Sequence, residues 1–301
     1  MKKLFALAII SAFATPAFGH ANLIKGHVPS SGQQSFRTEK VGGSVHVLYG
    51  SGGNIGISVG PDGVLMIDTQ FANVADQVKA ELRKLGSDKP RFIFNTHWHG
   101  DHTGGNDIFG VDSMIIAHEN VRKRMEETTT FRGQARKPSE KVALPMMTYG
   151  AGMSVYFNGE QIKAIHFPKG HTDGDTILYF VNSNVVHLGD DFFAGRFPFV
   201  DLESGGTVDG LIKNLSDMIQ MIPADAKIIP GHGAVSTLAD LRDYHQMIIE
   251  TSLLVRQGMA AGKTLDQLKT EGFPAKYAEA GSGFIKTPQW VEAIYRSYSG
   301  K

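Results

Sequence analysis

The chain has 301 residues, of which 42% are hydrophobic and 20% charged, a balance that suits a globular protein with a sizeable core. Thirty lysines and arginines match thirty aspartates and glutamates, so the charge balance gives no indication of a nucleic-acid partner. There is no cysteine, which excludes disulfides, thiolate metal ligands and a cysteine nucleophile.

The N-terminus has the features of a secretory signal peptide. Lys2 and Lys3 precede an apolar stretch, residues 4–13, that is too short to span a bilayer comfortably. We expect residues 1–19 to form the signal, with cleavage after Gly19 or Ala21, and the mature protein to be periplasmic. No other run is apolar enough for a membrane span, so no membrane contact is expected after the signal is removed.

The first half of the chain is predicted to contain a β-meander followed by alternating helices and strands. Residues 20–42 are polar and should form an extended, weakly structured arm, and residues 43–301 should form one domain with C-terminal helices. Three β-rich runs parted by glycine-rich turns predict antiparallel strands at 44–49, 55–59 and 64–68. The pattern then predicts a helix (71–85), two strands (91–95 and 113–117), a helix (118–128) and a polar surface connection (129–144).

The second half repeats this order of elements without repeating the sequence. Four strands with hairpin-like separations are predicted at 153–157, 162–167, 176–181 and 185–188. They are followed by a helix (206–222), a short strand (227–229) and three more helices (238–259, 264–269 and 288–297). Two β-plus-α halves packed sheet to sheet, with helices outside, are therefore expected.

Residues 95–106 hold the densest group of potential metal ligands in the chain. His97, His99, Asp101 and His102 form the pattern H-x-H-x-D-H directly after an apolar strand, and glycines follow them. Neutral imidazole and carboxylate both bind zinc, and a loop has no packing reason to collect histidines. Four such side chains this close together can contribute to two neighbouring metal sites.

Three further strands end in glycine-rich loops that carry a histidine or an aspartate. His171 follows the strand at 162–167, Asp190 and Asp191 follow 185–188, and His232 follows 227–229. If these strand ends converge on one rim with residues 97–102, the rim holds five histidines and two carboxylates.

This set of residues, in this order, resembles the metallo-β-lactamase superfamily over about residues 43–260. The resemblance implies an α+β fold, a four-layer αββα sandwich with a dinuclear site on one edge. It implies one metal held by His97, His99 and His171, a second held by Asp101, His102 and His232, and Asp190 as the bridging carboxylate. Asp191 competes for the bridging position, and we favour Asp190 because it follows Gly189 as the family pattern does. Asp68, at a strand end, matches an aspartate that supports the histidine loop without binding metal.

The expected function is a dinuclear hydrolase that uses a metal-bound hydroxide against the carbonyl of a small molecule, a cyclic amide or ester such as a β-lactam or lactone. Asp101 is the expected catalytic residue, placed to orient the hydroxide and accept its proton. Two zinc ions per chain are expected, although the same ligands accept manganese or iron. The alternatives are a thioesterase of the glyoxalase II type and a mononuclear iron oxidoreductase of the persulfide dioxygenase type.

The sequence departs from the family in several places. One large branch of zinc β-lactamases has Cys where this chain has Asp190, followed by a Lys that is also missing. The basic residues that hold glutathione in glyoxalase II are not matched. The loop over the site corresponds to residues 50–54, which are few and lack an aromatic tip.

Other residues near the expected site have two interpretations each. His187 either supports the site from beneath or simply packs in the core, and Arg196 is the nearest basic residue that can hold a substrate carboxylate. The apolar residues 192–199 are weighed as a buried loop or a pocket wall. Oligomeric state is not predictable from these features.

Overall fold

The computed structural model describes residues 36–300. The predicted signal peptide and most of the predicted arm lie outside this range, so export remains a prediction. Within it the strands are β1 (Arg37–Gly42), β2 (Val45–Tyr49), β3 (Ile55–Gly60), β4 (Gly63–Ile67), β5 (Phe92–Phe94), β6 (Met114–His118), β7 (Thr129–Phe131), β8 (Gln134–Arg136), β9 (Met147–Tyr149), β10 (Gly152–Phe157), β11 (Glu160–His166), β12 (Thr176–Phe180), β13 (Val185–His187) and β14 (Lys227–Ile229).

The α-helices of the described range include three that are one or two turns long. They are α1 (Ala75–Lys84), α2 (Gly100–Thr103), α3 (Asn106–Phe109), α4 (Glu119–Glu126), α5 (Val208–Met221), α6 (Leu238–Ala260), α7 (Leu265–Glu271) and α8 (Thr287–Ser299). Side chains fix several helix starts. Thr207 accepts a hydrogen bond from the Gly210 amide ahead of α5, and Thr237 and Asp240 form a capping box ahead of α6. None of the helices between residues 36 and 300 is long and apolar enough to cross a membrane.

Two sheets form the centre of the fold. The first has the strand order β1-β2-β3-β4-β5-β6-β9, in which β1 to β4 are antiparallel and β4, β5, β6 and β9 are parallel. The second has the order β10-β11-β12-β13-β14, antiparallel except for the parallel pair β13 and β14. Strands β7 and β8 form a separate two-stranded hairpin.

The apolar residues separate into layers that confirm the predicted αββα sandwich. One cluster lies between the sheets and combines residues from both, among them Val47, Leu65 and Phe94 with Leu178 and Phe180. The outer face of the first sheet packs against α1 and α3 through a second cluster. The outer face of the second sheet packs against α5, α6 and α8 through the largest cluster.

Several segments differ from the sequence-based expectation. The loop expected to carry the histidines contains the short helix α2, which includes Asp101 and His102. The last residues of the predicted arm form strand β1, because residues 37–42 pair with β2 and extend the first sheet at its edge. The polar connection predicted over 129–144 contains the β7–β8 hairpin and a short 3-10 turn at Lys141–Ala143. Strand β9 was not predicted. It is only three residues long, and its pairing with β6 is a contact distant in sequence.

The topology explains why ligands from distant parts of the chain meet. Strands β4 and β5 run parallel, so Asp68 and residues 95–102 leave the first sheet at the same edge. Strands β11, β13 and β14 also run in one direction, as the pairings through β12 show, so the loops carrying His171, Asp190 and His232 leave the second sheet together.

Candidate metal centre

The structure brings all seven predicted ligands together at the shared edge of the two sheets. They form two groups, whose potential ligand atoms lie within 4.8 Å of one another in each group. The first group contains His97, His99, His171 and Asp190, and the second contains Asp101, His102, Asp190 and His232. Asp190 belongs to both groups, which is the position expected of a bridging carboxylate.

Three imidazole nitrogens converge in the first group. The Nδ1 atom of His99 lies 3.1 Å from Nε2 of His97 and 2.8 Å from Nε2 of His171. The Oδ2 atom of Asp190 lies 3.8 Å from Nε2 of His97 and 3.6 Å from Nε2 of His171. All four side chains are buried.

The second group combines two imidazoles with two carboxylates. The Nε2 atom of His232 lies 3.2 Å from Oδ2 of Asp101 and 3.4 Å from Oδ1 of Asp190. The Nε2 atom of His102 lies 3.0 Å from the same Asp190 oxygen and 3.6 Å from Oδ2 of Asp101. The two oxygens of Asp190 therefore face different groups.

Hydrogen bonds on the outer side of the rings determine which nitrogens point inward as acceptors. Nε2 of His99 donates to Oδ2 of Asp201 at 2.9 Å, Nδ1 of His171 donates to the Phe199 carbonyl at 2.6 Å, and Nδ1 of His102 donates to Oδ2 of Asp68 at 2.7 Å. In the neutral form that binds metal, an imidazole has a single N–H, so with the outer nitrogen donating, the inner nitrogen of each ring carries a lone pair.

His97 follows the same rule through Thr96. The Thr96 hydroxyl donates to Oδ2 of Asp68 at 2.7 Å, so its oxygen accepts from Nδ1 of His97 at 3.0 Å. Lone pairs on His97, His99 and His171 thus point at one another at close range. In the second group Nε2 of His102 and Oδ1 of Asp190 are buried 3.0 Å apart without the alignment of a hydrogen bond, and neither atom has another hydrogen-bond partner. Both arrangements suit divalent cations, because a metal ion is the partner that such converging acceptors require.

Asp68 supports the histidine loop, as the resemblance to the superfamily implies. It is fully buried, and its carboxylate accepts hydrogen bonds from the Thr96 amide, the Thr96 hydroxyl and the His102 ring. Its backbone has a φ of 65°, in the left-handed region that Asp tolerates better than most residues. One carboxylate thereby orients both His97 and His102.

Asp201 performs the corresponding role for His99 and was not singled out from the sequence. It is buried, accepts from His99, and also accepts from the Ser204 amide at the start of the short 3-10 turn Leu202–Ser204. The residue follows an apolar stretch without any ligand motif. In the sequence, only the acidic side chain of Asp201, two positions after Phe199, could have marked it as a candidate.

The competing carboxylate Asp191 lies away from the two groups. A Cβ atom added to Gly170 would meet Oδ1 of Asp191 at 2.4 Å and the Asn214 amide at 2.6 Å, so the Asp191 side chain faces that side. Burial raises its pKa to about 8, and the charge of Asp190 adds to this effect. These positions favour Asp190 as the bridge.

The two groups differ in their protonation when no metal is bound. Burial lowers the pKa of His171 to about 4 and holds that of His97 well below its ordinary value, with neighbouring imidazoles contributing. Burial opposes protonation of His232 as well, but the carboxylates of Asp190 and Asp101 outweigh it and raise the pKa to about 9. Burial would raise the pKa of Asp101, yet His102 and His232 lower it to about 2.

Close backbone approaches hold the loops around the ligands. An added Cβ at Gly53 would lie 2.1 Å from Cε1 of His102, and one at Gly231 would lie 2.1 Å from Oδ1 of Asp190. The Gly53 amide also donates to the Asp101 carbonyl. His187 ties the same region together, since its Nε2 contacts the Asn54 carbonyl at 3.0 Å and its Nδ1 accepts from the Gly189 amide at 3.1 Å.

Comparison with known proteins identifies the family. The sequence profile of the metallo-beta-lactamase superfamily matches residues 48–253, more than half of the chain, and covers every ligand described above. This chain belongs to the metallo-beta-lactamase superfamily.

Individual relatives of the superfamily resemble parts of the chain. The hydroxyacylglutathione hydrolase of Synechococcus sp. strain JA-3-3Ab is 36% identical over 162 residues, which are 53% of this chain and 55% of that protein. The chain thus spans about half the length of this curated relative. Among solved structures, a double mutant of the sec-alkyl sulfatase PisA1 has a TM-score of 0.70 at 14% identity, covering 87% of this chain and 50% of that one.

A second solved structure matches this chain over nearly the whole length of that second protein. The DIM-1 metallo-beta-lactamase has a TM-score of 0.60 at 17% identity and covers 72% of this chain and 98% of that one. At such identities, both structural likenesses show the fold of the superfamily alone.

Aromatic side chains lie beside both ligand groups. Phe199 is half-buried, and its ring centre lies 5.6 Å from that of His99 and 5.8 Å from that of His171. Phe193 is buried and stacks on His232 at 5.1 Å. Of the apolar stretch 192–199, some residues are therefore core and others line the site. The stem of Arg196 runs along Gly283, since an added Cβ there would meet Cδ of Arg196 at 2.9 Å.

Proposed function

We propose that this chain is a dinuclear metal-dependent hydrolase that cleaves a carboxylic ester or thioester of a small molecule. The observation that carries the proposal is the pair of complete ligand groups that share Asp190, one group with three histidines and the other with two histidines and Asp101. An incomplete second group would favour the mononuclear iron oxidoreductase, but Asp101, His102 and His232 are all in place.

The site residues have distinct tasks in this reaction. Two divalent cations in such a site supply a water of lowered pKa and a Lewis acid that polarises the carbonyl. His97, His99 and His171 would hold one cation, Asp101, His102 and His232 the other, and Asp190 both. The partly exposed carboxylate of Asp101 lies 3.2 Å from Nε2 of His232 and 3.6 Å from Nε2 of His102, so it can orient the attacking water and accept a proton from it.

The choice of an ester or thioester follows from the relatives and not from the fold. A relative that is 36% identical over half of the chain is a hydroxyacylglutathione hydrolase, and a hydroxyacylglutathione is a thioester. The likeness to DIM-1 shows the fold alone, so cleavage of a β-lactam ranks as the second candidate. Lactones are cyclic esters and remain within the first proposal.

Metal analysis combined with a substrate panel tests the proposal. We expect about two equivalents of zinc per chain, and hydrolysis of thioesters, p-nitrophenyl esters or lactones that stops on chelation and returns with zinc. His232→Ala should bind about one equivalent and lose activity. His245→Ala, which changes a histidine of α6 outside both groups, should retain both metals. A single iron ion, with no hydrolysis of any ester, thioester or β-lactam, would overturn the proposal.

A further inference from the structure

The β7–β8 hairpin lies against the metal centre, in a segment whose sequence indicated only a polar surface connection. The ring of Phe131, at the end of β7, lies 4.8 Å from that of His99 and 5.8 Å from that of Trp98. It also meets Phe199 edge to face at 5.8 Å. A residue from the hairpin and one from the loop after β13 therefore build one aromatic surface beside a ligand of the first group.

The hairpin is attached on both of its sides. Arg136, in β8, donates to the Trp98 carbonyl at 3.1 Å, and its guanidinium lies 5.2 Å above the Trp98 ring. At the turn, the Gly133 amide reaches Oε2 of Glu203 at 3.5 Å. Phe131 is thus held at a defined place by the same loop that carries the first four ligands.

The aromatic surface is only partly covered by the protein. Phe131 and Phe199 are both half-buried, whereas Trp98 beneath them is fully buried. Arg132 continues the surface outward, with its guanidinium 6.0 Å from the Phe199 ring centre and 5.0 Å from that of Phe284. Half-exposed rings beside a reaction centre offer apolar area that a ligand can cover.

The 50–54 loop does not offer such a surface. It contains no large side chain, and Gly53 approaches the His102 ring so closely that a Cβ atom has no room. The Asn54 amide donates to the Gly231 carbonyl, and its side chain donates to the carbonyls of Pro230 and Gly233. This loop braces the ligands and leaves the recognition of substrate to other elements.

We propose that Phe131 and Phe199 form a specificity subsite that takes an apolar, preferably aromatic, group attached to the reacting carbonyl. The proposal rests on the hydrolytic function proposed above, because the subsite is defined relative to that carbonyl. Because the two rings already touch each other edge to face, a flat apolar group would lie against their exposed sides, where it gains both burial and aromatic contacts. The preferred substrates are accordingly arylacetyl or comparable esters and thioesters, in preference to acetyl ones.

Paired substrates with one leaving group test the subsite. We expect the zinc-loaded protein to have a lower KM for p-nitrophenyl phenylacetate than for p-nitrophenyl acetate. Phe131→Ala should raise the KM for the phenylacetyl ester about tenfold and that for the acetyl ester less than about twofold, with kcat largely kept. Phe199→Ala, which leaves the backbone carbonyl that holds His171, should show the same selective loss.

Binding of the product acids gives a readout that does not depend on turnover. By calorimetry, phenylacetate should bind the zinc-loaded protein more tightly than acetate, and Phe131→Ala should remove most of this difference. Tyr156→Ala is the control, since it truncates an aromatic side chain of β10 that is 75% exposed and touches no ligand. If the protein hydrolyses no ester but the acids bind as described, the proposed reaction fails while the subsite stands.

Two results would overturn the subsite. One is an equal change in KM for both esters, or none, in a variant that still hydrolyses them. The other is loss of zinc from Phe131→Ala, measured by metal analysis, because it would mean that the ring only shields His99 from water.

Discussion

The two ligand groups share Asp190 but differ in their access to solvent. In the first group the side chains of His97, His99 and His171 are at most 3% exposed. In the second group Asp101 is 27% exposed and His232 25% exposed. The first group is therefore a closed site of buried imidazoles, and the second is an open site in which two carboxylates face two histidines.

This difference indicates a division of labour within one centre. A closed group with every outer nitrogen hydrogen-bonded retains a metal well, because its ligands are already oriented. The open group has room for water and substrate next to Asp101 and His232. We expect the reaction to be approached from the second group, while the aromatic surface at Phe131 and Phe199 borders the first.

Removing the charge of Asp190 should have the largest effect, because it affects both groups at once. In Asp190→Asn we expect zinc to fall from about two equivalents to about one and kcat to drop by more than about 100-fold, since changes in outer-sphere partners alone cost about 10- to 100-fold. Metal analysis and steady-state kinetics on the same preparation measure both effects.

Asp191→Asn is the matched control for this variant. The pKa of Asp191 is raised to about 8, so an amide resembles its neutral form at pH 7, and zinc content and kcat should change little. Loss of zinc in Asp191→Asn together with a normal Asp190→Asn would show that the bridge has been assigned to the wrong aspartate.

Changes in the outer carboxylates should have an intermediate effect and separate the two groups. Asp201 contacts only the first group, through His99, whereas Asp68 orients His102 and, through Thr96, His97. We expect Asp201→Asn to weaken one zinc about 10- to 100-fold and Asp68→Asn to weaken both. Competition with a chromophoric chelator resolves the two affinities. Equal weakening of both metals in Asp201→Asn would contradict the separation.

The smallest effect should be a pH dependence confined to the second group. The raised pKa of His232, about 9, means that a proton must leave before a metal binds, so zinc affinity of this group should rise with pH up to about 9. His171, with its pKa lowered to about 4, is already neutral at pH 6. Zinc titrations between pH 6 and 9 should show one affinity that changes and one that is nearly constant.

The same shift has a defined sign for the stability of the metal-free protein. His232 has a folded pKa above its unfolded value of 6.5, so its contribution to stability is fully present below pH 6.5 and is lost as the pH rises through about 9. Thermal unfolding of the chelated protein across this range measures it, with His232→Ala as the comparison. A melting temperature that rises over this range in the wild type but not in the variant would refute the assignment.

The candidate ligands and helices that the sequence identified, and that the structure places as expected, are those with a local pattern; metal binding itself stays a prediction. The ligand loop at 97–102 is a continuous motif, and His171, Asp190 and His232 each follow an apolar strand and stand beside glycines. Helix α6 was predicted from its apolar spacing within one residue at its end. The sandwich followed from the order of strand runs and helices, which reflects how each layer buries its apolar face.

The features that sequence missed depend on contacts between distant segments. The role of Asp201 becomes visible only when the fold brings it to the His99 ring. Phe131 reaches the same ring only because the chain folds into a hairpin whose strands have three residues each. Strand β1 consists largely of polar and charged residues because it lies at the sheet edge, so its composition resembled that of an unstructured arm.

The ligand groups also have a mechanical consequence. Each of them draws side chains from both sheets, His97 and His99 with His171 in one, and His102 with His232 in the other. In a chain without cysteine, a bound ion at either position is a cross-link between the two halves of the sandwich, closing a long segment of chain as a disulfide would. Metal binding at the edge where catalysis is proposed would thus also cross-link the two halves of the sandwich, and metal loss would remove that cross-link.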